Sequence, residues 1–403
     1  MYIMKVIVIG GGPSGIMAAL KAAENNEVVL IEKTDSIGKK LRLTGGGRCN
    51  ITNNRDILEM LEKVVTNKKF LYSAFYTYTN RDVLDYFSKH GLKYKIEADE
   101  KIYTDSDKAD DVINVLREDL ERKKVSVIYN SEITDLIVQD SAIKGVIING
   151  VKEIYGDKVI IATGGKSYPQ TGSDGSMYPI LERYGHKIQK QYPALIPLVI
   201  KEEFIKNLQG ISMKDVLIKA KVKNKRFEQR GDMIFTHFGV SGPAILKLSS
   251  YINKALENGE VVLTLDFLPD KSREEISNIM RENIHRDVMN NLKGLLPQNF
   301  LKEIGDMCEF SGVKASDIKK KSENKFLSLV KEMNITAREM LTIKAAQVTS
   351  GGVSVKDINS STLESKKVKN LYFAGEVIDV DAETGGYNLQ IAFSTGNLAG
   401  RLE

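Results

Sequence analysis

The segment Lys5-Val6-Ile7-Val8-Ile9-Gly10-Gly11-Gly12-Pro13-Ser14-Gly15 decides the fold of this chain. Its apolar run is typical of a buried strand, and the glycines after it are typical of a tight turn into a helix. Gly10 permits the turn, Gly12 lets a phosphate approach the backbone, and Gly15 lets the helix pack against the strand. Pro13 suits the first helical turn, where its missing N–H is not needed. The segment predicts a strand–turn–helix unit that binds a dinucleotide diphosphate at the helix N-terminus.

Glu32 ends a second apolar run, Val28-Val29-Leu30-Ile31, twenty residues after Gly12. A carboxylate in this place accepts hydrogen bonds from the two hydroxyls of a ribose, whereas a 2′-phosphate would meet a like charge. This half of the site therefore favours an unphosphorylated adenosine, as in FAD or NAD, over NADP. Lys33 follows Glu32 and is a further candidate contact.

The length of 403 residues indicates two or three domains. Hydrophobic residues make up 42% and charged residues 28% of the chain, as in ordinary globular proteins. No apolar run approaches the roughly 18 residues of a membrane span, and the first strand begins too near Met1 for a secretory signal. We therefore expect a cytoplasmic protein with no membrane partner.

The two cysteines, Cys49 and Cys308, lie far apart and belong to no C-x-x-C pair. This excludes a disulfide framework, a zinc site built on paired cysteines, and a flavin disulfide reductase that needs two close thiols. We predict no metal site. The net charge of +5 is modest, so we interpret the lysine-rich segments 319–321 and 366–369 as solvated loops and consider a nucleic-acid partner the lesser alternative.

The first part of the chain alternates helices and strands. Helices are predicted at about 81–90 and 107–123, and strands at 125–129, 133–138, 143–148 and 151–155, which we expect to form a small antiparallel meander. Residues 158–162 predict a buried parallel strand, and residues 370–374 a second short one. The nucleotide-binding domain is therefore expected to be discontinuous, with residues 1–190 and 345–403. Ile133, Ala162, Thr163 and Gly164 are candidate cofactor contacts.

The middle of the chain has a different pattern of polar and apolar residues. In residues 217–223 lysines alternate with apolar residues, which predicts a sheet with one solvated face in a β-rich, barrel-like domain at 191–270. The lysine stripe is interpreted as that solvated face, with phosphate or RNA binding as the alternative. From Ser272 onward the periodicity is helical, with an N-cap at Ser272 and a capping box at Thr336-Ala337-Arg338-Glu339. A small helical subdomain is predicted at 271–344.

Three further motifs are more specific than the opening glycines. They are Gly38-Lys39-Lys40-Leu41-Arg42-Leu43-Thr44-Gly45-Gly46-Gly47-Arg48-Cys49-Asn50-Ile51-Thr52-Asn53, Gly375-Glu376-Val377-Ile378-Asp379 and Thr384-Gly385-Gly386-Tyr387-Asn388-Leu389-Gln390. Through these motifs the chain resembles the YhiN/BaiN-like family of bacterial flavoproteins, which includes aminoacetone oxidase and a bile-acid 3-oxo-Δ4,6 reductase. The resemblance extends over nearly the whole chain. The resemblance implies an α/β fold of the glutathione-reductase type, with FAD in the discontinuous Rossmann-like domain. One loop departs from the family: it often has T-G-S-T-G-D-G-Y where this chain has Thr171-Gly172-Ser173-Asp174-Gly175-Ser176-Met177-Tyr178, so no contact of that loop is transferred.

The first of these motifs supplies a physical reason for FAD. The glycine run at 45–47, with Gly46 and Gly47, can present successive N–H groups to phosphate oxygens, and Arg48 can add a charge-assisted hydrogen bond. Lys40, Cys49 and Asn50 are further candidate contacts. We interpret Cys49 as a small packed residue and not as a nucleophile, because no histidine lies near it in the sequence.

The second and third motifs supply the other end of the cofactor site. Gly375 follows a strand, Glu376 lies beside it, and Asp379 is within reach of a ribityl chain. Gly386 precedes a helix at about 387–401, and its N-terminus would favour the anionic reduced flavin. Tyr387, Asn388 and Leu389 at its start are candidate contacts. Tyr387 and His237 are candidates for orienting or protonating a substrate, with aromatic packing and a capping or core role as their alternatives, and no catalytic acid is assigned.

These observations lead to an FAD-dependent oxidoreductase that acts on a small organic substrate. The first hypothesis is NAD(P)H-dependent reduction of a conjugated C=C bond in a bile-acid-like enone. No second G-x-G-x-x-G is present, so NADH or NADPH would bind transiently. The second hypothesis is an oxygen-using amine oxidase of the aminoacetone type, and the third is an RNA-binding or redox-sensing flavoprotein. The substrate, the direction of the reaction and the oligomeric state stay open at this point.

Overall fold

The structure, a computed structural model, describes residues 3–402 and divides into two compact units. One unit contains residues 3–193 and 343–402, and the other contains residues 194–342. The sequence predicts three domains, with the β-rich and helical segments of the second unit separate. They share one apolar core instead, in which the Phe267 and Phe300 rings lie 4.7 Å apart and Phe235 stacks on Phe300 at 6.2 Å.

The elements of the first unit alternate helices and short strands. Up to residue 194 they are β1 (Lys5–Ile9), α1 (Pro13–Ala22), β2 (Glu27–Ile31), α2 (Lys39–Leu43), β3 (Thr52–Asn53), α3 (Ile57–Glu62), β4 (Val64–Thr66), α4 (Tyr72–Thr77), α5 (Asn80–Lys89), β5 (Tyr94–Glu97), β6 (Lys101–Thr104), α6 (Ala109–Arg122), β7 (Ser126–Ile128), β8 (Ile133–Gln139), β9 (Ala142–Ile148), β10 (Lys152–Tyr155), β11 (Lys158–Ile161), α7 (Met177–Arg183) and β12 (Ile188–Ala194).

The second unit follows, and the chain then returns to the first. The second unit has β13 (Leu198–Ile200), β14 (Ser212–Val222), β15 (Lys225–Phe235), β16 (Gly239–Ser241), α8 (Pro243–Leu256), β17 (Val261–Asp266), α9 (Arg273–Met280), α10 (Val288–Asn291), α11 (Gln298–Met307), α12 (Lys320–Lys331) and β18 (Met333–Met340). The returning segment has β19 (Val348–Val353), β20 (Leu371–Phe373), β21 (Asp381–Ala382) and α13 (Tyr387–Gly400).

A five-stranded parallel sheet with the order β20-β11-β1-β2-β7 forms the centre of the first unit. Its strands are almost wholly apolar and buried, as expected for a parallel sheet covered on both faces. The expected strand at 125–129 is β7, and its assignment to the meander is wrong. It pairs in parallel with β2, because the segment that includes α6 returns the chain to the same sheet. The meander contains the three strands β8 to β10.

Helices α1 and α13 pack closely on each other. A Cβ on Gly396 would lie 2.3 Å from the Ser14 carbonyl oxygen, and one on Gly400 would lie 2.5 Å from the Ala18 carbonyl oxygen. Gly396 and Gly400 therefore give α13 a small-residue face that packs on α1. This contact brings segments from both ends of the chain to one site.

The second unit contains a closed barrel with the strand order β13-β16-β15-β14-β17-β18. On β14, Lys219 and Lys221 are exposed while Ile218 and Ala220 are buried, which confirms the predicted alternation. Ser272 is the N-cap of α9, as predicted, and it also forms a capping box with Glu275.

The predicted capping box at residues 336–339 is wrong, because these residues lie in β18 and close the barrel. Ile335 pairs with Leu263 of β17. Met333, Ile335 and Ala337 are buried at every second position. This alternation is typical of a strand, and here it outweighs the short motif that resembles a helix start.

None of the helices within residues 3–402 combines the length and the apolar character that a membrane span requires.

Candidate cofactor-binding site

The turn between β1 and α1 depends on its glycines. Gly10 has a φ of +106°, and a Cβ there would lie 2.5 Å from the Ala162 carbonyl oxygen. A Cβ on Gly15 would lie 1.9 Å from the Gly10 carbonyl oxygen. At Gly12, in contrast, no described atom apart from those of the adjoining residues lies within 4 Å of the Cβ position. The turn is therefore closed around Gly10 and Gly15 and open in front of Gly12, where the first N–H groups of α1 have no partner within the helix.

A cavity with an empty volume of about 1270 Å³, counted to its open mouth, lies along this turn. The predicted site residues that line the cavity are Gly10, Gly12, Pro13, Ser14, Glu32, Lys33, Lys40, Ile133, Ala162, Thr163, Gly164, Glu376, Asn388 and Leu389. Segments far apart in the sequence thus meet around one space.

Glu32 marks the end of the cavity where a ribose is expected. Its side chain is buried, one carboxylate oxygen accepts the Gly11 N–H at 2.6 Å, and the other accepts the N–H and hydroxyl of Thr34 at 2.7 Å. A carboxylate offers about four acceptor positions, so one remains for a ribose hydroxyl. Glu32 therefore also holds the glycine turn, a role that its spacing from Gly12 does not predict.

Every lysine in the described wall of the cavity lies against a carboxylate. Lys33 pairs with Glu132 at 2.7 Å and Asp174 at 2.5 Å, Lys39 with Asp35 at 2.7 Å, and Lys40 with Glu376 at 2.6 Å. These ammonium groups are therefore largely neutralised. Attraction for a diphosphate depends mainly on the open N-terminus of α1.

Lys40 and Glu376 belong to a polar network in the cavity wall. The Lys40 ammonium also donates to the Ser167 hydroxyl at 2.6 Å, and Glu376 accepts the Thr349 N–H at 2.7 Å and the Ser167 hydroxyl at 3.0 Å. Burial by itself raises the pKa of Glu376, but the Lys40 ammonium and these hydrogen bonds outweigh burial and lower the pKa below its usual value. Glu376 is therefore a carboxylate held in place from both sides.

The N-terminus of α13 also faces the cavity. Gly386 caps the helix with a φ of +91°, and a Cβ there would lie 2.4 Å from the Thr52 carbonyl oxygen. The Asn388 side chain exchanges hydrogen bonds with the Ala382 backbone at 2.9 and 3.0 Å, and Asn388 and Leu389 line the cavity. A second helix dipole thus favours negative charge in the same space.

The residues after the glycine run lie outside the cavity wall. The Arg48 guanidinium donates to Glu97 and Asp107 and lies 4.1 Å above the Tyr103 ring, so its donors are occupied. Hydrogen bonds to these carboxylates raise the pKa of Arg48. Cys49 is completely buried, and burial raises the pKa of its thiol to about 12, as suits a packed residue. The candidates in this group that do not line the cavity are Gly46, Gly47, Arg48, Cys49 and Asn50.

Other candidates support the site from behind. Gly15 and Gly375 allow close packing, since a Cβ on Gly375 would lie 2.4 Å from the Ser14 hydroxyl oxygen. Asp379 accepts a hydrogen bond from the Asn67 amide at 2.9 Å, and it does not line the cavity. Its proposed contact with a ribityl chain stays a prediction.

The two candidates for a substrate role lie in different units. Tyr387 is buried at the start of α13, where burial raises the pKa of its hydroxyl and Arg55 partly offsets the rise. His237 belongs to the second unit and is exposed, with its ring 4.9 Å from that of Phe238. A core role for His237 is thereby excluded, and a substrate role for either residue stays a prediction. Within residues 3–402, no group of three or more potential ligands is placed to hold a metal ion.

One wall of the cavity lies outside the predicted site residues. It is built by the loop 171–176, together with Met177, Gln347 and Val348. Gly172 and Gly175 of this loop have φ values of +94° and +78°. These glycines mark a turn in the sequence, but they do not indicate that the turn lies against the cavity.

A parallel sheet, a glycine turn, an acid at the end of β2 and two helix N-termini meet at one cavity. Together they define a protein that binds a dinucleotide cofactor. The match to the family described as HI0933-like protein Rossmann domain extends over residues 4–402, so the chain belongs to this family. The expected resemblance, fold class and enzyme class are thereby confirmed.

Two curated relatives match the chain over almost its whole length. A 3-dehydro-bile acid delta(4,6)-reductase from Clostridium scindens is 30% identical over 409 residues, which cover 98% of each chain. A ribosomal RNA dihydrouridine synthase from Escherichia coli is 30% identical over 395 residues, which cover 96% of this chain and 95% of the relative.

Solved structures share the fold at lower identity. A flavocytochrome c3 fumarate reductase aligns with a TM-score of 0.52 and 14% identity, covering 99% of this chain and 78% of that one. A 3-ketosteroid-Δ4-(5α)-dehydrogenase from Rhodococcus jostii RHA1 aligns with a TM-score of 0.51 and 13% identity, covering 100% and 96%. At these identities the likeness concerns the fold alone.

Proposed function

We propose that this flavoprotein reduces a C=C bond conjugated to a carbonyl group, with NADH or NADPH as the source of electrons. The observation that carries the proposal is the pair of helix N-termini, those of α1 and α13, on one cavity. The first favours the diphosphate of FAD, and the second favours the negative charge of the reduced flavin ring. Bound FAD, once reduced by a hydride from the nicotinamide, would supply a hydride to the electron-poor carbon, and the other carbon would take up a proton from water.

The names of the two curated relatives support this reaction class. A Δ4,6-reductase of 3-dehydro-bile acids and a dihydrouridine synthase both saturate a C=C bond that is conjugated to a carbonyl, in a steroid and in a uracil ring respectively. Both relatives are 30% identical to this chain, so identity favours the shared chemistry and does not choose the substrate. The first candidate substrate is a bile-acid-like enone.

The second candidate substrate is a uracil base in RNA, and a surface of the second unit favours it. The tip of the β14–β15 hairpin carries Lys219, Lys221, Lys223, Lys225 and Arg226, all of them exposed. Among the ion pairs of residues 3–402, none involves these side chains. A cluster of unpaired cations attracts the phosphate backbone of a nucleic acid, whereas a small enone has no phosphate groups for these cations to bind. We define these five residues as the hairpin cations.

An anaerobic half-reaction tests the proposed function. The purified protein is first mixed with NADH or NADPH, and the reduced flavin is then mixed with a 3-oxo-4,6-diene bile acid or with a ribosomal RNA transcript. We expect one nicotinamide to bleach the flavin and one substrate to restore its colour, with a product that has gained two hydrogens by mass spectrometry. A saturated 3-oxo bile acid and an RNA that already contains dihydrouridine at the reacting position are matched controls that leave the flavin reduced. The reductase proposal fails if neither nicotinamide bleaches the flavin. Hydrogen peroxide released from aminoacetone in air would favour the alternative function, an amine oxidase.

A double variant separates the two substrates. In Lys219→Glu/Lys221→Glu two hairpin cations change sign on a solvated strand face, so the barrel keeps its core. We expect reoxidation by RNA to slow by about tenfold or more at low salt and to lose most of its salt dependence, while reoxidation by an enone is unchanged. An RNA reaction that is insensitive to this change would remove the argument for RNA.

The proposed reduction would take place in the cytoplasm, where both nicotinamides are supplied.

A further inference from the structure

Ser173 is the buried polar group of the cavity wall for which the fold supplies no partner. Its residue is 6% exposed, it lines the cavity, and no donor or acceptor among residues 3–402 lies within hydrogen-bonding distance of its hydroxyl. An unpaired buried hydroxyl costs free energy, so its retention on a cavity wall indicates a partner that enters with a ligand.

The surroundings of Ser173 indicate which part of FAD would be that partner. A Cβ on the neighbouring Gly172 would lie 3.5 Å from a Glu32 carboxylate oxygen, at the ribose end of the cavity. A Cβ on Gly164 would lie 2.7 Å from the Ser173 hydroxyl oxygen and 3.8 Å from a Glu376 carboxylate oxygen. Ser173 therefore lies between the ribose carboxylate and the Lys40–Glu376 network, along the half of the cavity assigned to adenosine and diphosphate.

The loop that carries Ser173 is fixed by an ion-pair cluster. The Asp174 carboxylate accepts the Lys33 ammonium at 2.5 Å and the Ser176 N–H at 3.0 Å, and Lys33 also reaches Glu132 at 2.7 Å. Burial raises the pKa of Asp174, but the Lys33 ammonium and the Ser176 hydrogen bonds outweigh it and lower the pKa. Lys33 thus joins the loop to the end of β2 and to the residue before β8.

We propose that the loop 171–176 is a clasp for the cofactor, in which the Ser173 hydroxyl donates a hydrogen bond to the adenosine diphosphate half of FAD. The Lys33–Asp174 ion pair holds the clasp closed, so Asp174 is a positioning residue that acts through Ser173. The inference rests on FAD as the occupant of the cavity and is independent of the substrate that the flavin reduces.

Cofactor dissociation from the holoenzyme tests the clasp. In Ser173→Ala, FAD leaves about three to ten times faster, as the loss of one hydrogen bond implies, and the released flavin is measured by its fluorescence. ADP, which contains only the adenosine diphosphate half, binds the flavin-free full chain more weakly by the same factor. The matched control Gln170→Ala, on the exposed side of the same segment, changes neither value.

Three further readouts separate the clasp from a purely structural role. The melting temperature of the flavin-free Ser173→Ala variant is not lowered, because the hydroxyl has no protein partner to lose. In Asp174→Asn, FAD leaves faster and its dissociation loses most of its dependence on salt. In the double variant Ser173→Ala/Asp174→Asn, FAD leaves about as fast as in Ser173→Ala alone, since both residues act through one contact. Unchanged ADP affinity in Ser173→Ala overturns the inference, whereas failure of the wild-type protein to bind FAD overturns the cofactor assignment.

Discussion

A Gly12→Val variant is expected to fold and to purify without flavin. The backbone at Gly12 has a φ of −81° and a ψ of 177°, which any residue adopts, and no described atom apart from those of the adjoining residues lies within 4 Å of its Cβ position. Valine is a poor residue before a helix, so the flavin-free protein loses no more than about 1 kcal/mol of stability. The added side chain fills the space in which the diphosphate approaches α1, and we expect FAD affinity to fall by at least about a hundredfold.

The measurements are FAD titration of the flavin-free variant and its melting temperature without flavin. Gly15→Val is the contrasting variant, since its Cβ would lie 1.9 Å from the Gly10 carbonyl oxygen. It should lose stability together with flavin, because the turn itself has to open. A Gly12→Val protein that retains FAD with wild-type affinity would place the diphosphate elsewhere.

A Lys40→Met variant is expected to lose about 2–4 kcal/mol of folding free energy at neutral pH, because it leaves Glu376 as an unpaired carboxylate in the cavity wall. The Glu376 side chain is 20% exposed, and Lys40 is the cation that faces it. The matched control is Lys39→Met on the same helix, whose partner Asp35 is 71% exposed. We expect little change in that control, since an ion pair in contact with water contributes little. Urea unfolding of the flavin-free proteins measures both variants.

The loss in Lys40→Met depends on pH in a defined direction. In the wild type the pKa of Glu376 is lowered below 4.5, so its contribution to stability is present above pH 4.5 and is lost as the pH falls through the lowered value. Without the ammonium, only the Thr349 and Ser167 hydrogen bonds oppose burial, so we expect the pKa of Glu376 to rise in the folded variant. Its destabilisation is then complete at neutral pH and shrinks as the pH falls below this value. An equal loss at pH 7 and at pH 4 would contradict this account of the network.

Local rules predict the glycine turn and the position of Glu32 well. The spacing of Gly10, Gly12 and Gly15 fixes a turn whose geometry is set by contacts within one strand–turn–helix unit. Glu32 follows at the end of the adjacent parallel strand, so its place in the cavity also comes from short-range structure. Such features depend on few distant residues, which is why the sequence alone supplies them.

Features that depend on distant partners could not be predicted in the same way. Arg48 has the chemistry of a phosphate ligand, but Glu97 and Asp107, which are 49 and 59 residues away in the chain, occupy its guanidinium. Residues 336–339 have the composition of a helix start, but they pair with β17 and form part of the strand that closes the barrel. In both cases a tertiary contact outweighs a local motif.

The wall of the cavity that the loop 171–176 forms could not be predicted for a different reason. Its glycines at 172 and 175 are visible in the sequence, but the place of Ser173 depends on the ion pair between Lys33 and Asp174, which are 141 residues apart. No local spacing relates these two residues. The loop could be assigned to the cavity only when the fold had brought β2 beside it.

The cofactor content of the wild-type protein tests the central claim most directly. The protein is purified under mild conditions, its visible absorbance is recorded, and the molecule released on denaturation is identified and counted by chromatography and mass spectrometry. The account predicts a yellow protein that releases one FAD for each chain. A colourless protein that takes up no FAD when the cofactor is supplied in excess would contradict it.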